Sequence, residues 1–123
     1  MAAIRSKDTA PELLVRRSAH RLGYRFRLHR RDLPGKPDLV FPRLRKAIFV
    51  HGCFWHQHAD CREGRVPGTN RSYWGPKLAR TVERDRLAVE ALRSSGWDVL
   101  TIWECEMGDP SALSARLAQF LER

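Results

Sequence analysis

The sequence predicts one α/β domain with a mixed central sheet flanked by helices, in the order αβββαβ plus a closing helix. Three observations carry this. The chain has 123 residues, enough for one core and too few for two independent domains. Its 42% apolar and 30% charged residues are the balance of a globular chain rather than a disordered one. Strand-like and helix-like patterns then alternate, and a helical stretch separates the third and fourth strands, which implies a crossover and a mixed sheet.

Thr9-Ala-Pro-Glu12 reads as a helix start: Thr9 caps, Pro11 sits in the first turn, and Glu12 can reach back as in a capping box. This helix is expected to run to Leu22, with Leu14, Val15, Ala19 and Leu22 inward and Gly23 ending it. Tyr24, Phe26 and Leu28 alternate with Arg25, Arg27 and His29, which predicts a half-buried strand with a basic outer face. Leu33-Pro-Gly-Lys-Pro37 is a rigid turn. The apolar runs Asp38–Phe41 and Ala47–Val50 flank Pro42-Arg-Leu-Arg45 and predict a hairpin.

Residues 51–75 follow no period and hold His, Cys, Trp, Gly and Pro, as expected of an irregular loop stapled by a ligand. A long helix is expected from about Pro76 to Ser95, with Leu78, Val82, Val89 and Leu92 near one face and Gly96 as the stop. Trp97–Trp103 is the strongest strand, with Val99, Leu100 and Ile102 at its centre. Asp109-Pro110 opens a final helix whose Leu113, Leu117, Phe120 and Leu121 form a core stripe.

The formal net charge is +9, unevenly placed. Residues 1–36 hold ten basic and three acidic groups, residues 37–96 eleven and six, and residues 97–123 two and five. A small protein with so basic a front half is a candidate polyanion binder; a merely solvated surface is the alternative. No run of 18 apolar residues exists, which excludes a transmembrane helix. The first residues lack a signal-peptide core, so an intracellular protein is expected.

An odd cysteine count argues against a disulfide framework in an intracellular chain. Cys53-x4-His58-x2-Cys61 lies within one loop, and Cys105 follows the strongest strand. Three thiolates and one imidazole make a closed tetrahedral zinc set, which would staple the loop to the sheet. Three unrelated buried cysteines are the alternative. His56 could replace His58, and spacing alone does not choose.

Asp38 begins a strand after a glycine turn, and Glu12 stands on the preceding helix. Two such carboxylates can hold Mg²⁺ against a phosphate. Many nucleases share this αβββαβ core together with a Pro-Asp…(Asp/Glu)-x-Lys signature. Here the second half is missing: the next strand ends Phe49-Val50-His51. His51 and His56 can supply part of the deficit, because a histidine near neutral pKa can activate water or protonate a leaving oxygen. The alternatives are a turn-capping carboxylate at Asp38 and structural or metal-ligating histidines.

A wider set of motifs then comes into view. Ile4-Arg-Ser-Lys-Asp-Thr9, Leu33-Pro-Gly-Lys-Pro-Asp38, Ile48-Phe-Val-His-Gly-Cys-Phe-Trp-His56, Tyr73-Trp74, Glu83-Arg-Asp85, Gly96-Trp97 and Ile102-Trp-Glu-Cys105 resemble, in order, the very short patch repair (Vsr-type) DNA mismatch endonucleases. The resemblance implies a PD-(D/E)xK-like restriction-endonuclease core with a structural zinc site, forming a single endonuclease domain over residues 1–123. It implies a bacterial, cytoplasmic, nucleoid-associated enzyme. The expected reaction is Mg²⁺-dependent nicking of duplex DNA 5′ to the mismatched T of a T:G pair left by deamination of 5-methylcytosine. It further implies a monomer that cooperates with mismatch-repair proteins and DNA polymerase.

Residue by residue, Asp38 resembles the Mg²⁺-ligating carboxylate and the Val50 carbonyl the second protein ligand. His51 and His56 resemble the catalytic histidines, with His56 the candidate for water activation, and Glu12 occupies the acidic position on the first helix. Cys53, His58, Cys61 and Cys105 match the structural zinc set, which on this resemblance makes His58 the ligand. Phe54, Trp55 and Trp74 resemble aromatic wedges inserted beside the mismatch, where unstacking costs least. Three departures stand out. Val50 replaces a threonine of a relative. Ala59-Asp60 gives one extra residue before Cys61. The N-terminal extension with which some relatives grip DNA is missing, so a different grip is expected. Two other functions fit the same residues: a zinc-stapled DNA-binding module without cleavage, and a related nuclease with another mismatch or site preference.

Overall fold

The computed structural model describes residues 9–53, 56 and 71–122, with residues 71–74 as helix backbone only. Helix α1 spans Ala10–Arg21, capped by the Thr9 hydroxyl, which accepts the Glu12 N–H at 3.4 Å. Its buried face is Glu12, Val15, Ser18 and Ala19, the spacing of one helical stripe. Leu14 and Leu22 point outward instead of inward (38% and 37% exposed), because Leu14 lies about 100° round the helix from Val15.

Strand β1 is only Arg27–Leu28, shorter than the alternation predicts, and both residues are exposed. It pairs antiparallel with strand β2 (Leu39–Phe41) as the sheet edge, and His29, at φ +51°, ends it. Tyr24 and Phe26 still point inward, edge-on to Phe41 at 6.4 and 5.9 Å between ring centroids.

The predicted hairpin is present. Strand β3 (Lys46–His51) runs antiparallel to β2, with Leu39 opposite Ile48, and Arg45 takes φ +53° in the turn. Helix α2 (Arg71–Ser94) makes the crossover to strand β4 (Asp98–Trp103), which pairs parallel with β3. The helix starts before Pro76, so that proline lies inside it. There its missing N–H removes one backbone bond and its ring crowds the carbonyl four residues before it. The sheet order is β1-β2-β3-β4, mixed as expected. A 3-10 turn, Glu104–Gly108, leads to helix α3 (Pro110–Glu122).

The sheet is covered on both faces. Val15 and Ala19 of α1 and Leu113, Leu117, Phe120 and Leu121 of α3 pack on Leu39, Phe41, Ile48 and Ile102. On the opposite face Ala88 and Leu92 of α2 pack on Phe49 and Val99. Ile48 and Phe49 thus serve opposite cores, as strand alternation dictates. Val82 is 41% exposed rather than inward. The inner line of α2 runs instead through Leu78, Ala88 and Leu92. Among the described residues, no helix is long and apolar enough to cross a membrane.

Candidate active site

The first strands leave a concavity between α1, the turn before β2, the end of β3 and the middle of α2. It is a cleft of about 640 Å³, into which Glu12, Asp38, Val50, His51, His56 and Asp85 face. The turn is pinned by Gly35 at φ +73°. A Cβ there would lie 2.6 Å from the Ala88 Cβ and 3.1 Å from the Phe49 ring, so only glycine lets the turn pack this closely. This packing sets where Asp38 enters β2.

Asp38 is held from two sides: its N–H donates to the Ile48 carbonyl at 3.0 Å, and its Oδ2 accepts the Val50 N–H at 2.7 Å. Burial pushes the Asp38 carboxyl up from 3.8 to about 7, opposed by the Val50 N–H and reinforced by the negative charge of Glu12. Glu12 is itself buried (3% exposed), with Oε2 3.2 Å from Arg16 Nη2. One ligand atom each from Glu12, His29 and Asp38 lie within 4.8 Å of one another, a donor set able to hold a cation. The cleft thus collects two carboxylates where water can solvate them poorly.

Across the cleft, the His51 and His56 rings stack at 3.7 Å between centroids and 6° between planes. Burial, and then the neighbouring His56, push His51 down from 6.5 to about 4, so its imidazole is neutral at neutral pH. The buried His51 Nδ1 has no hydrogen-bond partner among the described residues. His56 Nδ1 lies 2.7 Å from Asp85 Oδ2. A carboxylate only accepts, so Asp85 fixes the proton on Nδ1 and leaves His56 Nε2 with its lone pair. Oriented this way, an imidazole can take a proton from water.

The structure therefore gathers Glu12, Asp38, Val50, His51 and His56, distant in sequence, into one cleft. It adds Asp85 to the cleft and sets the Arg16–His29 pair against Glu12. Asp85 had a signal: it interrupts the inner line of α2, seven residues after Leu78 and three before Ala88. A charge on a buried stripe is a candidate functional group. Glu12 does more than a capping box requires, since its carboxylate lies in the cleft.

Cys53 is buried and Cys105 is exposed on the 3-10 turn. The parallel register pairs His51 with Trp103, so each cysteine lies two residues past a paired position at the same end of adjacent strands. The 3-10 turn is braced by Glu106, which accepts the Trp103 N–H at 2.9 Å and pairs with Arg116 of α3. His58, Cys61, Phe54 and Trp55 lie outside the described residues, as does the side chain of Trp74, whose backbone is in α2.

Comparison with known proteins agrees with this geometry. A family model described as "DNA mismatch endonuclease Vsr" matches residues 1–63. A protein of Xanthomonas oryzae named Type II nicking enzyme V.XorIIP is 51% identical over 99% of this chain and 89% of its own length. The DNA mismatch endonuclease Vsr of Escherichia coli is 40% identical over 98% of this chain and 80% of its own. The Type II nicking enzyme V.NmeAIP of Neisseria meningitidis is 37% identical over 95% of this chain and 83% of its own. A cleft with one buried and one half-buried carboxylate facing an aspartate-held histidine suits phosphodiester hydrolysis, and the chain belongs to the Vsr family of DNA endonucleases.

Proposed function

We propose that this endonuclease nicks duplex DNA on the 5′ side of the mismatched T of a T:G pair, by Mg²⁺-dependent hydrolysis in the Glu12–Asp38–His56 cleft. The observation that carries the reading is the placement of Asp38, a carboxyl poorly solvated beside Glu12, across from a histidine whose tautomer Asp85 sets. A carboxylate pair destabilised in its ionised form fits a hard divalent cation, which would compensate it. Asp38 is its main ligand in this reading, with the Val50 carbonyl beside it. Mg²⁺, when bound, would neutralise developing charge on the phosphate and polarise the attacking water.

The chain's own groups do the rest. His56 Nε2 accepts a proton from the water whose oxygen bonds to phosphorus, the P–O bond to the leaving sugar oxygen breaks and that oxygen is protonated from solvent, while Asp85 stabilises the imidazolium that results. His51, neutral against the face of His56, keeps a second positive charge out of the cleft. Glu12 sets the charge beside Asp38. Cys53, His58, Cys61 and Cys105 hold a structural zinc ion in this reading. The shared strand-end position of Cys53 and Cys105 fits such a staple. Phe54, Trp55 and Trp74 act as wedges at the mismatch, and the basic front half supplies affinity through phosphates without reading sequence.

A second reading of the target has its own support. Relatives at 51% and 37% identity are named type II nicking enzymes, which favours the same nicking chemistry at a different mismatch or site preference. One panel separates the two: all mismatches in varied flanking sequence, each beside its paired control, with and without Mg²⁺. Nicking confined to T:G supports the first reading, and nicking that follows another mismatch or flank supports the second. Equal cutting of paired and mismatched duplexes by zinc-loaded protein refutes mismatch selectivity.

A further inference from the structure

We propose that Arg16 and His29 form a positioning pair that fixes the Glu12 carboxylate beside Asp38 for strand cleavage, a role that rests on the cleft being the nicking site. One guanidinium nitrogen, Arg16 Nη2, bridges Glu12 Oε2 at 3.2 Å and His29 Nε2 at 2.9 Å. A guanidinium only donates, so His29 Nε2 must accept. In this contact the His29 ring proton sits on Nδ1. Its Nε2 also lies 3.5 Å from Glu12 Oε2, so the three side chains close a triangle.

The backbone supports the same assignment. His29 sits at φ +51°, a conformation that disfavours a non-glycine residue. It is held there by its N–H, which donates to the Asp38 carbonyl at 3.2 Å. Backbone strain kept beside a reactive carboxylate marks a functional constraint more often than an accident. Asp38 thus anchors the residue that braces Glu12.

The chemistry explains the need. Glu12 and Asp38 are like charges at close range in a poorly solvated cleft, and an unbraced Glu12 would turn away or take a proton. Arg16 is 14% exposed in its side chain, so its bond to Glu12 is shielded from water and correspondingly strong. The missing acidic-x-Lys half-motif leaves the cleft end of β3 (Phe49-Val50-His51) without a lysine, and Arg16 brings a cation from α1. Neither Arg16 nor His29 lines the cleft, so both act through Glu12.

A double-mutant cycle tests this, using whichever duplex the wild-type protein nicks best. Single-turnover nicking is measured for wild type, R16M, E12Q, the R16M/E12Q double variant and H29G, with duplex binding and thermal midpoint beside each. R16M and H29G are each expected to slow cleavage at least tenfold, with binding changed less than twofold. In the E12Q background R16M adds less than a twofold loss. The thermal midpoint of H29G does not fall, because glycine adopts the positive φ without strain. Imidazole nitrogen NMR of the DNA-free protein shows His29 as the Nδ1–H tautomer, and R16M abolishes that signature.

Multiplicative losses in R16M/E12Q, unchanged cleavage in R16M, or an Nε2–H tautomer at His29 would each overturn the proposal. So would an H29G variant whose lost cleavage tracks a lowered midpoint. Should R16M fail to fold, H29G and the tautomer decide alone. A wild-type protein that nicks no duplex refutes the nicking site itself and this inference with it, which separates that failure from the others.

Discussion

Replacing Asp38 by asparagine is expected to abolish nicking and yet stabilise the metal-free protein, by an amount that grows with pH. The folded chain holds the Asp38 carboxyl at about 7 instead of 3.8, first because it is buried and then because Glu12 lies close. At ~1.4 kcal/mol per tenfold change in proton affinity, the cost at alkaline pH is at most about 4 kcal/mol. The cleft is open to water, which lowers the expected figure to about 2–4 kcal/mol. At the acid end the carboxyl is protonated in folded and unfolded chains alike, and the cost vanishes. As pH rises from 4 to 7 the unfolded chain loses this proton first, so wild-type stability falls. Above 7 both states are ionised and the whole cost is present. Asparagine copies the neutral carboxyl and keeps an acceptor for the Val50 N–H, so the variant escapes this dependence. Urea denaturation from pH 4.5 to 8, in magnesium-free buffer without chelator, measures the difference. Adding Mg²⁺ should then stabilise wild type alone. A stability difference independent of pH, or an Asp38→Asn variant less stable than wild type at pH 8, would show that Asp38 ionises without cost to the fold.

Four further outcomes follow from the same geometry. Asp85→Asn should lower single-turnover nicking by about 10²–10⁴, the usual worth of a general base, because the amide can donate to His56 Nδ1 and invert its tautomer. Asp85→Ala imposes no tautomer and should retain more activity than Asp85→Asn; the reverse order removes the tautomer argument. Gly35→Ala should cost about 1–3 kcal/mol in denaturant unfolding, since its Cβ would meet Ala88 at 2.6 Å from a backbone at φ +73°. Cys105→Ser should lower zinc retention and thermal midpoint together, and unchanged zinc stoichiometry would remove Cys105 from the ligand set. DNA affinity should fall steeply with salt, and truncating arginines among the basic first 36 residues should flatten that slope.

The sheet was legible because its signals are local. Ala47–Val50 and Trp97–Trp103 are short apolar runs bounded by turns, and α3 carries an unbroken stripe from Leu113 to Leu121. What failed was decided by tertiary context. Leu14, Leu28 and Val82 are apolar residues that their elements turn outward, and no single-element pattern says which of two adjacent apolar positions the sheet will cover. The alternation from Tyr24 to His29 predicted a six-residue strand, but only Arg27 and Leu28 pair with β2: Tyr24 and Phe26 pack on Phe41 without joining the ladder, and His29 leaves it at a left-handed φ.

The candidate site was legible in its residue types and not in its wiring. Asp38, His51 and His56 announce themselves by chemistry. The 2.7 Å contact of His56 with Asp85 joins positions 29 residues apart, and the Arg16–His29 contact joins α1 to the end of β1. Such pairings depend on how elements pack, which motif spacing does not encode. A different kind of signal compensates. Several residues that break local rules meet at or beside one cleft. Glu12 is a buried carboxylate, Asp38 resists ionisation, His51 resists protonation, and His29 holds a strained φ. Each is unfavourable for folding taken alone, and a sequence selected only for stability would shed them. Glu12, Asp38 and His51 line the groove that also receives Asp85, with His29 against Glu12 behind it, and this marks the groove as the place where folding stability is given up for chemistry. The same cleft is thus selected by its residues alone, independently of any resemblance.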